Sequence, residues 1–289
     1  MRNRLGVFTA LWMLLATSAF TLMAFIIKLQ SARMPVADIL FVRCASSALL
    51  VLACQPLLGF ALRSRAVGLH VRRGVCGLVA MAIWYHTLGV LPMAVSVTLN
   101  YMSPLFLGLV LVATDRSAQR PGATELACLA LGFLGVVVLL NPLGADAANR
   151  GAIALGVLGA AMAALAFKDV RALKAAGENE WQMVFFFSLV AALGALPFTA
   201  LTRLDASAGL LSHAWVVLAG LLGAVGQWGV SKAFGSGDAV VAASMQYLSV
   251  VFSLGLSWLA LGEAVSAPAL AGMALIVAAA VLTVWQRGR

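Results

Sequence analysis

The sequence predicts an all-α integral membrane protein, with ten transmembrane helices in two inverted five-helix repeats and both termini in the cytoplasm. Three observations predict it. First, the 289 residues are 63% hydrophobic and only 10% charged, with a mean hydropathy of +1.03. A soluble domain averages about 45–50% apolar and about 25% charged, so a soluble enzyme and a disordered chain are both excluded. Second, apolar runs of spanning length recur along the whole chain. Third, the Lys and Arg residues between those runs fall mostly on one side.

The runs lie at about 7–29, 37–59, 72–91, 95–113, 123–140, 150–172, 181–203, 212–231, 239–260 and 268–286. The first follows Arg2 and Arg4, as a signal peptide would. It is too long for the apolar core of a signal, and further runs follow at once, so it reads as the first span. None of the runs alternates with the two-residue period of a barrel strand, which leaves helices as the way to satisfy the backbone in lipid. The four cysteines, Cys44, Cys54, Cys76 and Cys128, all lie inside apolar runs. They read as small core residues rather than a disulfide framework.

The formal charge is +9. No basic run is interleaved with aromatics, so the excess reads as loop charge facing the cytoplasm and not as a nucleic-acid surface. With ten spans, the side of the N-terminus collects 14 Lys and Arg residues, including Arg63, Arg65, Arg72 and Arg73, against 5 on the other side. That asymmetry places both termini in the cytoplasm.

Shifting the chain by 146 residues sets Asn100-Tyr101-Met102-Ser103 on Gln246-Tyr247-Leu248-Ser249, Thr98 on Ser244, Phe106 on Phe252 and Gly89 on Gly235. The polar and aromatic matches point to a duplication, with residues 1–145 as the first five-helix repeat and 146–289 as the second. Five is odd, so the second copy enters the membrane upside down. Inverted repeats are a recurring basis of alternating access, with the substrate held near the midplane. The repeat therefore points to transport.

Three places carry a resemblance to a known family: Phe41-Val42-Arg43 opening the second span, Asn100-Tyr101-Met102-Ser103-Pro104 in the fourth, and Leu259-Ala260-Leu261-Gly262-Glu263 ending the ninth. With ten spans in two halves, the chain resembles the EamA branch of the drug/metabolite transporter superfamily over nearly its whole length. The first half departs from the pattern, since Arg116-Ser117 stands where the second has Gly262-Glu263. The resemblance implies a carrier of small metabolites in the bacterial inner membrane, usually an exporter. Within the family the chain is most similar to YddG-type exporters of aromatic amino acids.

Candidate site residues follow, each with its plainer alternative. His86, within Trp84-Tyr85-His86, is the one histidine well inside a span. It is expected to face a cavity, to bind a carboxylate or to couple transport to protons; the alternative is a hydrogen bond to a neighbouring helix. Tyr85 lies about 100° away round the helix. Asn100 with Tyr101, and Gln246 with Tyr247, supply paired donors and acceptors for a polar ligand; helix–helix hydrogen bonding suits the same residues. Gly220, Gly223, Gly226 and Gly229 form a stripe that reads as a packing seam first and a substrate groove second. Trp228 beside it is a candidate cavity wall. Arg43 reads as an anchor whose long side chain snorkels, with attraction of a substrate carboxylate as the alternative. Lys168 and Asp169 read as solvated charges rather than a gate.

No Asp or Glu falls at mid-membrane, and neither a phosphate-binding loop nor metal-ligand spacing occurs. The expectation is a carrier that is not an enzyme, needs no cofactor or metal, binds no nucleic acid, sits in the bilayer and exists as a monomer or weak dimer. Its substrate would be an uncharged or zwitterionic metabolite such as an amino acid. An intramembrane enzyme would need convergent acids, bases or metal ligands that the spans lack. A channel and a structural subunit are the other rivals.

Overall fold

The computed structural model describes residues 2–100, 102–114, 123–140, 147–202, 209–262 and 267–288. Among these the chain is all helix: α1 Arg2–Gln30, α2 Val36–Ala53, α3 Gln55–Leu58, α4 Val67–Val90, α5 Met93–Asn100, α6 Ser103–Thr114, α7 Ala123–Leu140, α8 Ala147–Ala175, α9 Glu180–Thr202, α10 Gly209–Ser236, α11 Ala239–Gln246, α12 Leu248–Leu261 and α13 Ala267–Gly288. Every apolar run of the sequence is filled by one helix or by two in succession. Six helices among the described residues (α1, α2, α4, α8, α9 and α10) are long and apolar enough to cross a membrane.

Three runs are split. The second breaks at Cys54, and its short continuation α3 ends on Gly59 in the left-handed region (φ 63°), where a Cβ would be strained. The fourth and ninth break at matching places, directly after Asn100 and Gln246. Pro104 falls in the first turn of α6, where a missing N–H costs no helical hydrogen bond. Gly262 ends α12 in the left-handed conformation (φ 65°), while Glu263 and the Arg116-Ser117 pair lie outside the described residues.

The helices pack in crossed pairs. α1 runs against α10, α4 against α8, α2 against α9, and α7 against α13, while α5 meets α12. Glycines permit the closest of these approaches. A Cβ at Gly74 would stand 2.6 Å from Cβ of Val190, and one at Gly77 would stand 2.9 Å from Cζ of Phe187, so α9 is seated directly on α4. The stripe on α10 is such a seam: Gly220 and Gly223 meet Arg43 and Ser46 of α2, Gly226 meets Phe20, and Gly229 meets Trp12 and Ala16 of α1.

Large apolar side chains cover the outside, among them Leu11, Leu49, Val75, Leu193 and Val281. The interior holds many hydroxyls and amides, such as Thr17, Ser47, Ser96, Ser249 and Gln246. An apolar interior dotted with polar groups and an apolar perimeter suit a lipid surround, where helix association depends on packing and internal hydrogen bonds.

α4 begins five residues before the expected boundary. Its first turns carry Arg72 and Arg73, which the sequence places among solvated loop charges. Arg72 instead binds Asp169 of α8 through two nitrogens, Nε at 2.9 Å from Oδ2 and Nη2 against Oδ1. Arg73 is 2% exposed. Arg72 thus pairs across the bundle while its side chain stays 58% exposed, and only Arg73 is withdrawn from water.

Candidate functional site

A cavity lies between α1, α4, α8 and α10, with Arg43 entering from α2, Phe187 from α9, and Asn100 and Gln246 from the ends of α5 and α11. Counted with its opening, the space is about 710 Å³. Its wall is mostly apolar: Met13, Met23 and Met81, with the rings of Phe20, Trp84, Phe167 and Phe187. Small residues such as Gly77, Ala80 and Ala163 keep it open.

The face of α4 that meets the cavity is set by helical spacing. Arg73, Gly77, Ala80, Met81 and Trp84 recur at intervals of three and four. His86 is off that face. It is exposed on the outside of the bundle and is not part of the cavity wall, which corrects the expected position of the histidine. Tyr85 also turns away from the cavity. It is fully buried behind the wall, with its hydroxyl 3.8 Å from the sulfur of Met23.

Of the two symmetric polar pairs, Asn100 and Gln246 both line the cavity. Gln246 is 1% exposed, and its Oε1 has no hydrogen-bond partner among the described residues. Tyr247 is buried against Gly132 outside the cavity wall. Tyr101 lies outside the described residues. Trp228 is likewise not a wall residue: it stacks on Trp181 (centroids 4.7 Å apart) and meets Trp12 edge-on at 4.6 Å, tying α10 to α9 and α1. That arrangement corrects its reading as a cavity wall.

Two residues that the sequence leaves at the edges are central to the site. Arg43 is 1% exposed and lines the cavity, so it is not a snorkelling anchor. Its guanidinium approaches only sulfur: Nη1 is 3.4 Å from Cys44 Sγ and 3.5 Å from Met81 Sδ, and Nη2 is 3.6 Å from Met23 Sδ. Sulfur is a weak acceptor, and Nε has no partner. Arg73 is held by neutral acceptors. Its Nη1 donates to the Met183 carbonyl at 2.6 Å and its Nη2 to Gln227 Oε1 at 2.8 Å, with the guanidinium 4.8 Å from the centre of the Phe187 ring. Gln227, also in the wall, is a third residue the sequence did not single out as cavity-lining.

One end of the bundle is closed by a charged layer where α4 and α9 begin and α8 and α10 end. Arg72 binds Asp169. Lys174 lies 2.7 Å and Lys232 3.4 Å from Glu180. Ser64 donates to Glu178 at 2.6 Å, and His70 Nε2 stands 3.3 Å from the other Glu178 oxygen. Asp169 is thus a buried, paired group rather than a solvated charge. Among the described residues no group of His, Cys, Asp and Glu could hold a metal ion.

A helical bundle enclosing a polar-spotted cavity, with apolar helices long enough to span lipid, defines a multi-pass membrane protein with an internal cavity. Residues 150–285 match the model of the EamA-like transporter family. A pseudopaline exporter, CntI, of Pseudomonas aeruginosa (strain UCBPP-PA14) is 29% identical over 267 residues, spanning 92% of each chain. A riboflavin transporter of Rhizobium johnstonii is 28% identical over 274 residues, covering 93% of this chain and 88% of that one. Another riboflavin transporter, from Vibrio cholerae serotype O1, is 26% identical. None of these names an aromatic amino acid, so the expected likeness to YddG-type exporters draws no support from them. A protein of known crystal structure superposes with a TM-score of 0.75 at 19% identity, covering 96% of this chain and 99% of that one. It shares the fold.

Proposed function

We propose that this protein is an alternating-access carrier that exports a small metabolite across the bacterial inner membrane. In this reading ten spans form two inverted repeats, residues 1–145 and 146–289, with both termini in the cytoplasm. The observation that carries it is the cavity itself, whose wall takes Asn100 from one half and Gln246 from the other, each at the break of its helix. Interrupted helices at a midplane site between two repeats are a recurring design of secondary transporters.

Packing supports the repeat independently. Under the 146-residue shift Gly74 and Gly77 fall on Gly220 and Gly223. The first pair seats α9 on α4 and the second seats α2 on α10. Since α2 and α9 are themselves equivalent under the shift, the two seams are mates. The pairing of α1 with α10 and of α4 with α8 is related in the same way.

The names of the relatives favour export or transport of a metabolite. The substrate class in this reading is amino acids and similar metabolites with an apolar or aromatic body, which the rings and methionines of the wall accommodate. Purified protein in liposomes, loaded with phenylalanine or riboflavin, tests the reading. Saturable counterflow that falls when Asn100 and Gln246 are replaced by Ala is the expected result. Unsaturable leakage of every solute removes the carrier.

A further inference from the structure

Two buried arginines share one cavity wall, and no carboxylate among the described residues joins them there. Arg43 and Arg73 are 1% and 2% exposed. No ion pair to either is formed by the described carboxylates. Asp169 favours Arg73 through its field, but its own oxygens are taken by Arg72. A guanidinium in a dry, apolar setting is costly unless a counter-charge meets it, and its planar fork of donors matches a carboxylate in two-point contact. Arg43 has only thioether and thiol sulfur against its donors, and both arginines keep an Nε–H with no partner.

The spacing between them is fixed by the helices they touch. On α4 the Arg43 guanidinium meets Met81, eight residues after Arg73, which is about 12 Å of axial rise. On α10 Arg43 meets Gly223 and Arg73 meets Gln227, about 6 Å apart, or one turn. The two charges therefore sit at different depths of one pocket. Gly77 and Ala80 of α4 fall between the two levels, with the Phe187 ring against Arg73 and the methionine sulfurs against Arg43, and all of these line the cavity.

We infer that the cavity selects an organic anion with two acidic groups, one held by Arg43 and one by Arg73, with an apolar or planar body between them. This deepens the carrier reading and rests on it for the direction in which that anion moves. It also replaces the uncharged or zwitterionic solute that the composition of the spans suggests. Asn100 and Gln246 are left to bond neutral groups of the body, and the unpartnered Gln246 Oε1 accepts a donor there.

Binding is tested apart from transport. Purified protein is titrated with straight-chain α,ω-dicarboxylates of four to ten carbons and with their monomethyl esters, read by tryptophan fluorescence and by thermal shift. At the best-fitting length the diacid is expected to bind about tenfold or more tightly than its monoester. Arg43→Gln and Arg73→Gln each erase that difference, while Arg43→Lys and Arg73→Lys retain part of it. Should the Gln variants fail to fold, the comparison of diacid with monoester on the unaltered protein decides alone. Equal binding of diacid and monoester at every length overturns the inference. Diacid binding without flux in liposomes keeps the anion site and removes the carrier. Saturable flux of a neutral solute with no diacid preference keeps the carrier and removes the anion site.

Discussion

Gly223 faces Arg43 so closely that a Cβ there would stand 2.6 Å from Arg43 Cζ. The absence of a side chain on α10 is what lets a guanidinium lie flat between α2 and α10. Gly223→Ala must therefore either push the guanidinium off its seat or part the two helices. Overpacking of this kind costs about 1–3 kcal/mol. The expected result is a lower melting temperature together with a loss of diacid binding of about tenfold or more. Gly151→Ala, at a position with nothing within 4 Å, leaves both unchanged and serves as the control.

Gln227 is the neutral partner of Arg73 inside the cavity, accepting from Nη2 at 2.8 Å. Replacing it by Glu supplies a built-in counter-ion. Two consequences of opposite sign follow. The protein gains stability, since a buried uncompensated charge becomes a pair worth about 1.5–3 kcal/mol. It loses affinity for anions, since the site is already neutralised. Thermal denaturation and dicarboxylate titration of Gln227→Glu check both at once, and a variant that is less stable and binds anions more tightly contradicts the arrangement.

His86 points out of the bundle, so its removal touches neither the wall nor a buried network. His86→Ala is expected to leave flux, and the pH dependence of flux, as in the unaltered protein, with stability changed by no more than about 0.5 kcal/mol. A flattened pH profile in proteoliposomes would return proton coupling to this residue.

Asp169 and Arg72 make an unequal pair: the aspartate side chain is 2% exposed and the arginine 58%. Losing the arginine strands a buried carboxylate, whereas losing the aspartate releases its partner into water. Arg72→Gln should therefore destabilise more than Asp169→Asn, by about 1–3 kcal/mol, the cost of an unsatisfied buried polar group. Chemical denaturation of the two single variants gives the ordering directly.

The helical runs were legible because twenty consecutive apolar residues have few other uses. The boundaries were nearly so; α1 and α4 each begin five residues early, and α4 is the instructive case. Arg72 looks like a loop residue until Asp169, 97 positions away, is found beside it. The polar pair Asn100 and Gln246 was legible through the 146-residue shift. Which face of each helix lines the cavity was not, because a helix apolar all round carries no period to read. That ambiguity is why Trp84, and not His86, is found in the cavity wall. From the sequence Arg43 reads as an anchor, since a charge near a span end snorkels unless its neighbours enclose it. Only the packing of Gly223, Met23 and Met81 around it shows that they do.

The charged layer at one end of the bundle has a consequence for turnover. Asp169 and Glu180 are buried, yet Arg72, Lys174 and Lys232, which meet them, keep part of their side chains in water, whereas His70 and Glu178 are both enclosed. When the layer parts, water reaches the carboxylates as well, and each pair then trades its partner for solvent at a net cost of about 0–1 kcal/mol. A mouth sealed by interlocked leucines would have to expose all of that surface to part, and would stay shut. A mouth lined by half-hydrated ions can part with a smaller change in free energy. For a carrier of the proposed kind, which visits shut and parted forms in every cycle, a low cost of parting matters more than strength.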